Sequence, residues 1–166
     1  MFLTSTDFIG YYQIAKPNSH QIGELQSYID SVEPSVLRDL LGCELYDLFI
    51  ADLVSGVPQS ARFTAIFNAF NLDDGDCQYR SLGIKEMLKG FVYYSYVRDS
   101  DYFNTISGNV KNNFANSTGT RGVQYGLDER YNVSLDTYDT IQWYINENIT
   151  NYPEYNGLNK EVKVWF

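Results

Sequence analysis

The stretch from Val36 to Leu53, VLRDLLGCELYDLFIADL, constrains this chain more than any other. Its apolar residues Leu37, Leu40, Leu41, Leu45, Leu48, Phe49 and Leu53 recur at spacings of three and four. On a helix those spacings form one continuous apolar stripe, which has to be buried against something else. No side chain in the stretch has the character of a catalytic group. It reads as a helix made for packing.

The same logic extends along the chain. A first helix is expected from Ser19, as N-cap, with Ile22, Leu25, Ile29 and Val32 inward. Pro34 is expected to end it, because the residue before a proline is pushed out of the helical region. Pro34 then opens a second helix to about Leu53. Gly42 weakens that helix by about 1 kcal/mol relative to Ala and marks a kink or a break. Ser55-Gly56-Val57-Pro58 is a stop. A third helix from about Ser60 to Phe70 turns Phe63, Ile66, Phe67 and Phe70 to one side. A fourth, Leu82 to Tyr102, carries Ile84, Met87, Leu88, Phe91 and Val92, and Tyr93, Tyr94 and Tyr96 extend its apolar contact almost all round. A helix apolar on most sides belongs inside a bundle or between subunits. A last helix, Asp128 to Ile149, points Tyr131, Leu135, Tyr138, Ile141, Ile145 and Ile149 inward. The expected class is all-α, a small bundle of about five helices over residues 19–149.

Three segments depart from that pattern. Residues 1–18 read as an extended arm with Phe2, Phe8, Tyr11 and Tyr12 as sticky points, closing over its own core or reaching a neighbour. Residues 104–127 are rich in Asn, Gly, Ser and Thr and form a long loop, a length usually functional or disordered. The loop has room for a hairpin pairing Ile106, Val110, Val123 and Tyr125. Residues 150–166 form a tail in which Pro153 and Gly157 forbid a helix. Its end, Lys160 to Phe166, alternates as a strand does, with Val162, Val164 and Phe166 on one side, and such a strand needs a partner.

Charge and composition narrow the function. The net charge is -9, from 21 acidic and 12 basic residues, and much of it falls in residues 1–53. An acidic chain is a poor ligand for phosphate backbones, which are gripped by Lys and Arg. The 15 Tyr, 10 Phe and 2 Trp suit broad, half-wet contact surfaces. Cys43 and Cys77 have no metal or redox spacing; Cys43 is expected as a small buried side chain and both as thiols. No apolar run is long enough for a membrane span, and MFLTSTDFIGYYQIAK lacks the layout of a secretion signal. Asp73-Asp74-Gly75-Asp76 lacks the alternating acids of a calcium loop and reads as a solvated turn leading into a helix. The single histidine, His20, has no nucleophile spaced to it, and no phosphate-binding glycine motif occurs. The chemistry of an enzyme is not legible; no cofactor, metal or catalytic residue is expected.

The order LLGCELYDLFIADL after a Pro-broken first helix, IKEMLKGFVYYSYVRDSDYF, an Asn/Gly/Thr-rich loop and a Tyr-containing last helix resembles the head–tail connector (adaptor) proteins of tailed bacteriophages. The resemblance is nearest to the versions of Bacteroidetes and crAss-like phages and covers roughly residues 19–149. It implies a structural virion protein at the capsid vertex or neck, made in the host cytoplasm. Such a subunit forms a homo-oligomeric ring, usually of twelve copies, under the portal protein. It extends the DNA channel without sequence-specific binding and presents a surface to the next tail or connector ring. The interaction residues expected on this reading are Phe2, Phe8, Tyr11, Tyr12, Tyr93, Tyr94, Tyr96, Arg121, Tyr125, Tyr152, Tyr155, Val162, Val164, Trp165 and Phe166. The competing expectations are another tail-completion or tail-tube ring protein and an enzyme or small-ligand-binding helical domain.

Overall fold

A single glycine divides the long apolar stripe. Gly42 has φ 76°, a conformation that favours glycine. Its N–H closes helix α1 (Ser19–Leu41) on the Arg38 carbonyl at 2.9 Å, and its own carbonyl accepts the Tyr46 N–H at 3.0 Å to start α2 (Cys43–Ala51). The structure is a computed structural model. It describes residues 2–14, 19–73, 75–100, 102–105, 108–111 and 121–156, with side chains over 2–14, 22–73, 75–100 and 126–156.

Pro34 does not end the first helix; it lies inside α1. A proline there forfeits a hydrogen bond and costs about 3 kcal/mol. The compensation is one unbroken buried stripe, Leu25, Ile29, Glu33, Leu37, Leu40 and Leu41, on both sides of the proline. Burial of that face outweighs the local preference. Ile22, expected inward, is exposed, and so is Cys43, at the first turn of α2.

The chain is broadly helical but not all-α, because short antiparallel ribbons join its helices. Strands β1 (Leu53–Val54) and β2 (Val57–Pro58) pair across Ser55 and Gly56, both at positive φ. Two positive-φ residues in a two-residue connection make the turn that suits a hairpin. Asp52 then accepts the N–H groups of Gln59 and Ser60 at 2.8 and 2.9 Å. This ties the hairpin to the start of α3 (Ala61–Phe67), whose Phe63 and Ile66 are buried. The expected continuation of α3 to Phe70 fails: Phe70 opens β3 (Phe70–Asp73), which pairs with β4 (Gln78–Ser81). The acidic run is therefore a hairpin turn, with the Gly75 N–H on Asp73 Oδ1 at 2.9 Å.

The most extensive packing is α4 (Ile84–Ser100) against α5 (Arg121–Glu147). Gly90 permits it: a Cβ there would lie 1.8 Å from Ser134 Oγ and 3.0 Å from the Arg130 carbonyl. Phe91 meets Tyr131 and Tyr138 edge-on. The β3–β4 ribbon lies on α5, with Phe70 against Tyr144 and Tyr79 against Trp143. Helix α5 starts at Arg121 rather than Asp128. The ribbon in the expected loop is β5 (Tyr102–Thr105) with β6 (Gly108–Lys111). Val110 faces Phe103 there, whereas Val123 and Tyr125 are helical, so the expected pairing does not form; Ile106 lies outside the described residues. Ile149, expected inward, is exposed in a short 3-10 turn beyond α5.

Candidate interaction surface

The N-terminal segment is built into the molecule. Phe2, Leu3, Phe8 and Tyr12 are buried in the common core. Phe2 stacks on Phe49 at 5.5 Å and leans on Phe67 at 5.6 Å. Beneath it lies Glu33, only 3 % exposed. Both Glu33 oxygens accept the Phe2 N–H, at 2.9 and 3.1 Å, and Oε2 also accepts the Leu3 N–H at 3.2 Å. Burial pushes the Glu33 carboxyl above its ordinary range, and the amide hydrogen bonds offset this only in part. Asp7 pairs with Lys85 at 2.8 Å. Burial pushes its carboxyl up, but Lys85 and Thr4 more than reverse this and hold it below the usual value.

Beyond Phe8 the segment surfaces. Ile9 is 72 % exposed and Tyr11 48 %. The Arg130 guanidinium lies between two rings, 4.6 Å from the Tyr11 centroid and 5.1 Å from that of Tyr93. Its Nε donates to the Tyr11 carbonyl and its Nη1 to the Gly126 carbonyl, both at 2.7 Å. A planar cation held by two carbonyls and two aromatic faces is a rigid surface feature.

A second cluster lies along the same helix pair. Tyr94 and Tyr131 pack at 4.6 Å, and Arg98 lies 5.7 Å over Tyr94. Arg98 Nε donates to Asp99 Oδ1 at 2.8 Å, and Asp99 Oδ2 accepts the Tyr28 hydroxyl at 3.1 Å. Hydrogen bonding to Asp99 raises the Arg98 pKa, and burial followed by the Asp99 charge raises that of Tyr28. Partly exposed tyrosine and arginine are the residue types that dominate binding energy at protein interfaces.

Of the expected interaction residues, Tyr11, Tyr93 and Tyr94 contribute to these clusters. Phe2, Phe8, Tyr12, Tyr96, Tyr152 and Tyr155 are buried and serve the chain's own core. Tyr152 and Tyr155, expected in a tail, are anchored; the Tyr152 hydroxyl donates to the Arg62 carbonyl at 2.6 Å, and Arg62 pairs with Glu154 at 3.1 Å. Arg121 and Tyr125 lie in α5, with side chains outside the described set; Val162, Val164, Trp165 and Phe166 lie outside the described residues. Sequence reasoning missed Arg130, Arg98 and Ile9. A signal for Arg130 existed in its four-residue spacing from Gly126 and Ser134, but the expected helix began too late to use it.

Elsewhere, Val54 and Val57 face each other across the β1–β2 turn and are 59 % and 52 % exposed, while Pro58 on the opposite side of the ribbon is buried. Among the described residues, no group of three or more His, Cys, Asp or Glu could hold a metal ion, and no helix is long and apolar enough to cross a membrane. No protein-family model, curated protein or solved structure matches the chain.

Proposed function

We propose that the chain is a structural ring subunit of the head–tail connector type in a tailed bacteriophage. Copies associate side by side under a portal protein, usually twelve to a ring, and the ring extends the DNA channel and carries the next tail component. The observation that supports this best is the pair of tyrosine–arginine clusters on α4, α5 and the N-terminal segment. They place partly buried tyrosine rings and guanidinium groups at fixed positions on the surface. A ring with rotational closure needs two different faces per subunit, one for each neighbour. The outward Val54–Val57 pair, on a separate part of the fold, supplies a second, smaller apolar contact. The acidic balance, 21 acidic against 12 basic residues, suits a channel through which DNA slides, because an excess of carboxylates repels the phosphate backbone.

The test is mass photometry and electron microscopy of the purified chain, alone and with the portal of the same phage. Expected is a ring of fixed copy number that docks on the portal. A chain that stays monomeric with the portal at every concentration overturns the proposal, as does a ring that joins a tail tube and ignores the portal.

A further inference from the structure

The described residues stop at Asn156, beside acids that no described cation answers. Tyr155 is buried, and its N–H donates to the Tyr152 carbonyl at 2.9 Å. It lies by Tyr138 of α5. Burial, then the charge of Asp39 on α1, then Tyr155 and Asp139 push the Tyr138 hydroxyl above its ordinary range, so all three groups converge on it. Asp39, Asp136 and Asp139 are exposed, and among the described residues they form no salt bridge. Arg38, next to Asp39, lies over the Tyr46 ring at 5.0 Å. From this point a furrow runs between α1 and α5, which both pack on α4 and barely on each other. Tyr28, Val32, Val36 and Asp39 share one side of α1 by their spacing; Tyr131, Leu135, Tyr138 and Gln142 share one side of α5. Tyr28 meets Tyr96 and Tyr131 meets Phe91 on α4, and Asp39 approaches Tyr138, so the two sides flank one furrow. Val32, Val36 and Leu135 are only partly buried in it.

We propose that this furrow is the docking site for residues 157–166 of the same chain, GLNKEVKVWF, which lie outside the described residues. Three observations select this occupant. The segment follows Asn156 directly, so it starts at the mouth of the furrow, beside Asp39 and Asp139. Its charge is complementary: Lys160 and Lys163, against the single Glu161, meet Asp39, Asp136 and Asp139. Its length suffices. Extended, the segment reaches at most about 33 Å, whereas α1 rises about 16 Å between Asp39 and Tyr28. In extended form Val162, Val164 and Phe166 fall on one side. That row covers Val32, Val36 and Leu135, taking their remaining apolar surface out of water. The inference stands apart from the ring reading, because donor and receptor belong to one chain.

Two measurements on the full chain test it. The first mixes the parent chain at natural isotope abundance with the same chain labelled with nitrogen-15 and treats the mixture with a zero-length carbodiimide. Expected are amide links from Lys160 or Lys163 to Asp39, Asp136 or Asp139, with both linked peptides carrying the same isotope. Links only between unlike isotopes, links that go instead to Asp73 or Asp76, or no link to the three furrow acids overturn the proposal. The second reads the cover itself. With Cys43 and Cys77 replaced by serine, Val36→Cys places one thiol in the furrow, and its reaction with a chromogenic disulfide reagent is timed. Adding Val162→Asp and Val164→Asp, which leave the body of the protein untouched, is expected to speed that reaction several-fold. An unchanged rate overturns the proposal.

Discussion

Glu33 holds the Phe2 amide with both carboxylate oxygens, at 2.9 and 3.1 Å, across 31 residues of sequence. A buried carboxylate with amide donors and a raised pKa makes stability depend on pH in a definite direction. Burial is the larger effect and raises the native pKa above the ordinary 4.5. Between those two values the native state holds the proton more tightly than the unfolded chain does. The contribution of Glu33 is therefore fully present below about pH 4.5 and is lost as pH rises through the native pKa. Urea unfolding of the parent and of Glu33→Gln at a series of pH values checks this. The stability difference, parent minus variant, is expected to shrink as pH rises through that window; a difference that stays constant or grows contradicts the burial argument.

Two glycines in helices predict opposite signs. Gly90 faces α5, where a new Cβ would run into Ser134 Oγ and the Arg130 carbonyl. Gly90→Ala is expected to destabilise by about 1–3 kcal/mol through overpacking, despite its better helix propensity. Gly23 in α1 has nothing within 4 Å of its would-be Cβ. Gly23→Ala is expected to stabilise by about 0.5–1 kcal/mol. Midpoints of guanidinium denaturation measured on both variants decide the matter.

The thiols offer a simple check on how the stripe is oriented. Both cysteines are exposed, although Cys43 sits inside the most apolar stretch of the sequence. The break at Gly42 rotates α2 relative to α1, so Leu45 and Phe49 take the buried side and Cys43 is left outside. Two thiols are expected to react with a chromogenic disulfide reagent in the absence of denaturant. A Cys43 that reacts only on unfolding would return it to the core.

The helices were legible because their stripes were long: Leu25 to Leu41 and Tyr138 to Ile145 are buried as their spacing required. What failed was punctuation. Pro34 predicts a stop that the stripe running through it overrides, and Gly122 and Gly126 mask the first turns of α5. The ribbons were missed because each strand is only two to four residues long, too short for alternation to stand out from chance. In the candidate surface, aromatic residues were visible but their sides were not. Tyr93 and Tyr94 are only partly buried while Tyr96, two residues beyond Tyr94, is buried. That division depends on where α1 and α5 lie, which no local pattern encodes.

Arg130 is expected to matter for the segment more than for the body. Arg130→Gln removes the cation from between Tyr11 and Tyr93 and the donor from the Tyr11 carbonyl, a loss of about 1–2 kcal/mol. Hydrogen exchange should show faster exchange confined to residues 2–14, with the buried turns of α4 and α5 unchanged. Uniform acceleration through the chain would mean that Arg130 supports the bundle itself.

Tyr152 and Tyr94 separate the two uses of tyrosine in this chain. Tyr152 is 1 % exposed, and its hydroxyl answers the Arg62 carbonyl at 2.6 Å. Tyr152→Phe keeps the ring but leaves that carbonyl unmatched, an expected loss of about 1–3 kcal/mol. Tyr152→Ala also empties the ring's space and is expected to lose about 3–5 kcal/mol. Tyr94 is partly buried and touches Tyr131 and Arg98 near the surface. Tyr94→Ala is expected to cost about 1–2 kcal/mol, less than Tyr152→Ala, because its ring is only partly buried. If the α4–α5 face meets a neighbour, that same change disrupts assembly while the monomer stays folded, whereas Tyr152→Phe weakens the monomer and leaves the ring contact alone. Thermal melts paired with mass photometry read both effects in the same samples. A Tyr94→Ala protein that melts near the parent and still forms full rings would remove Tyr94 from the ring contact.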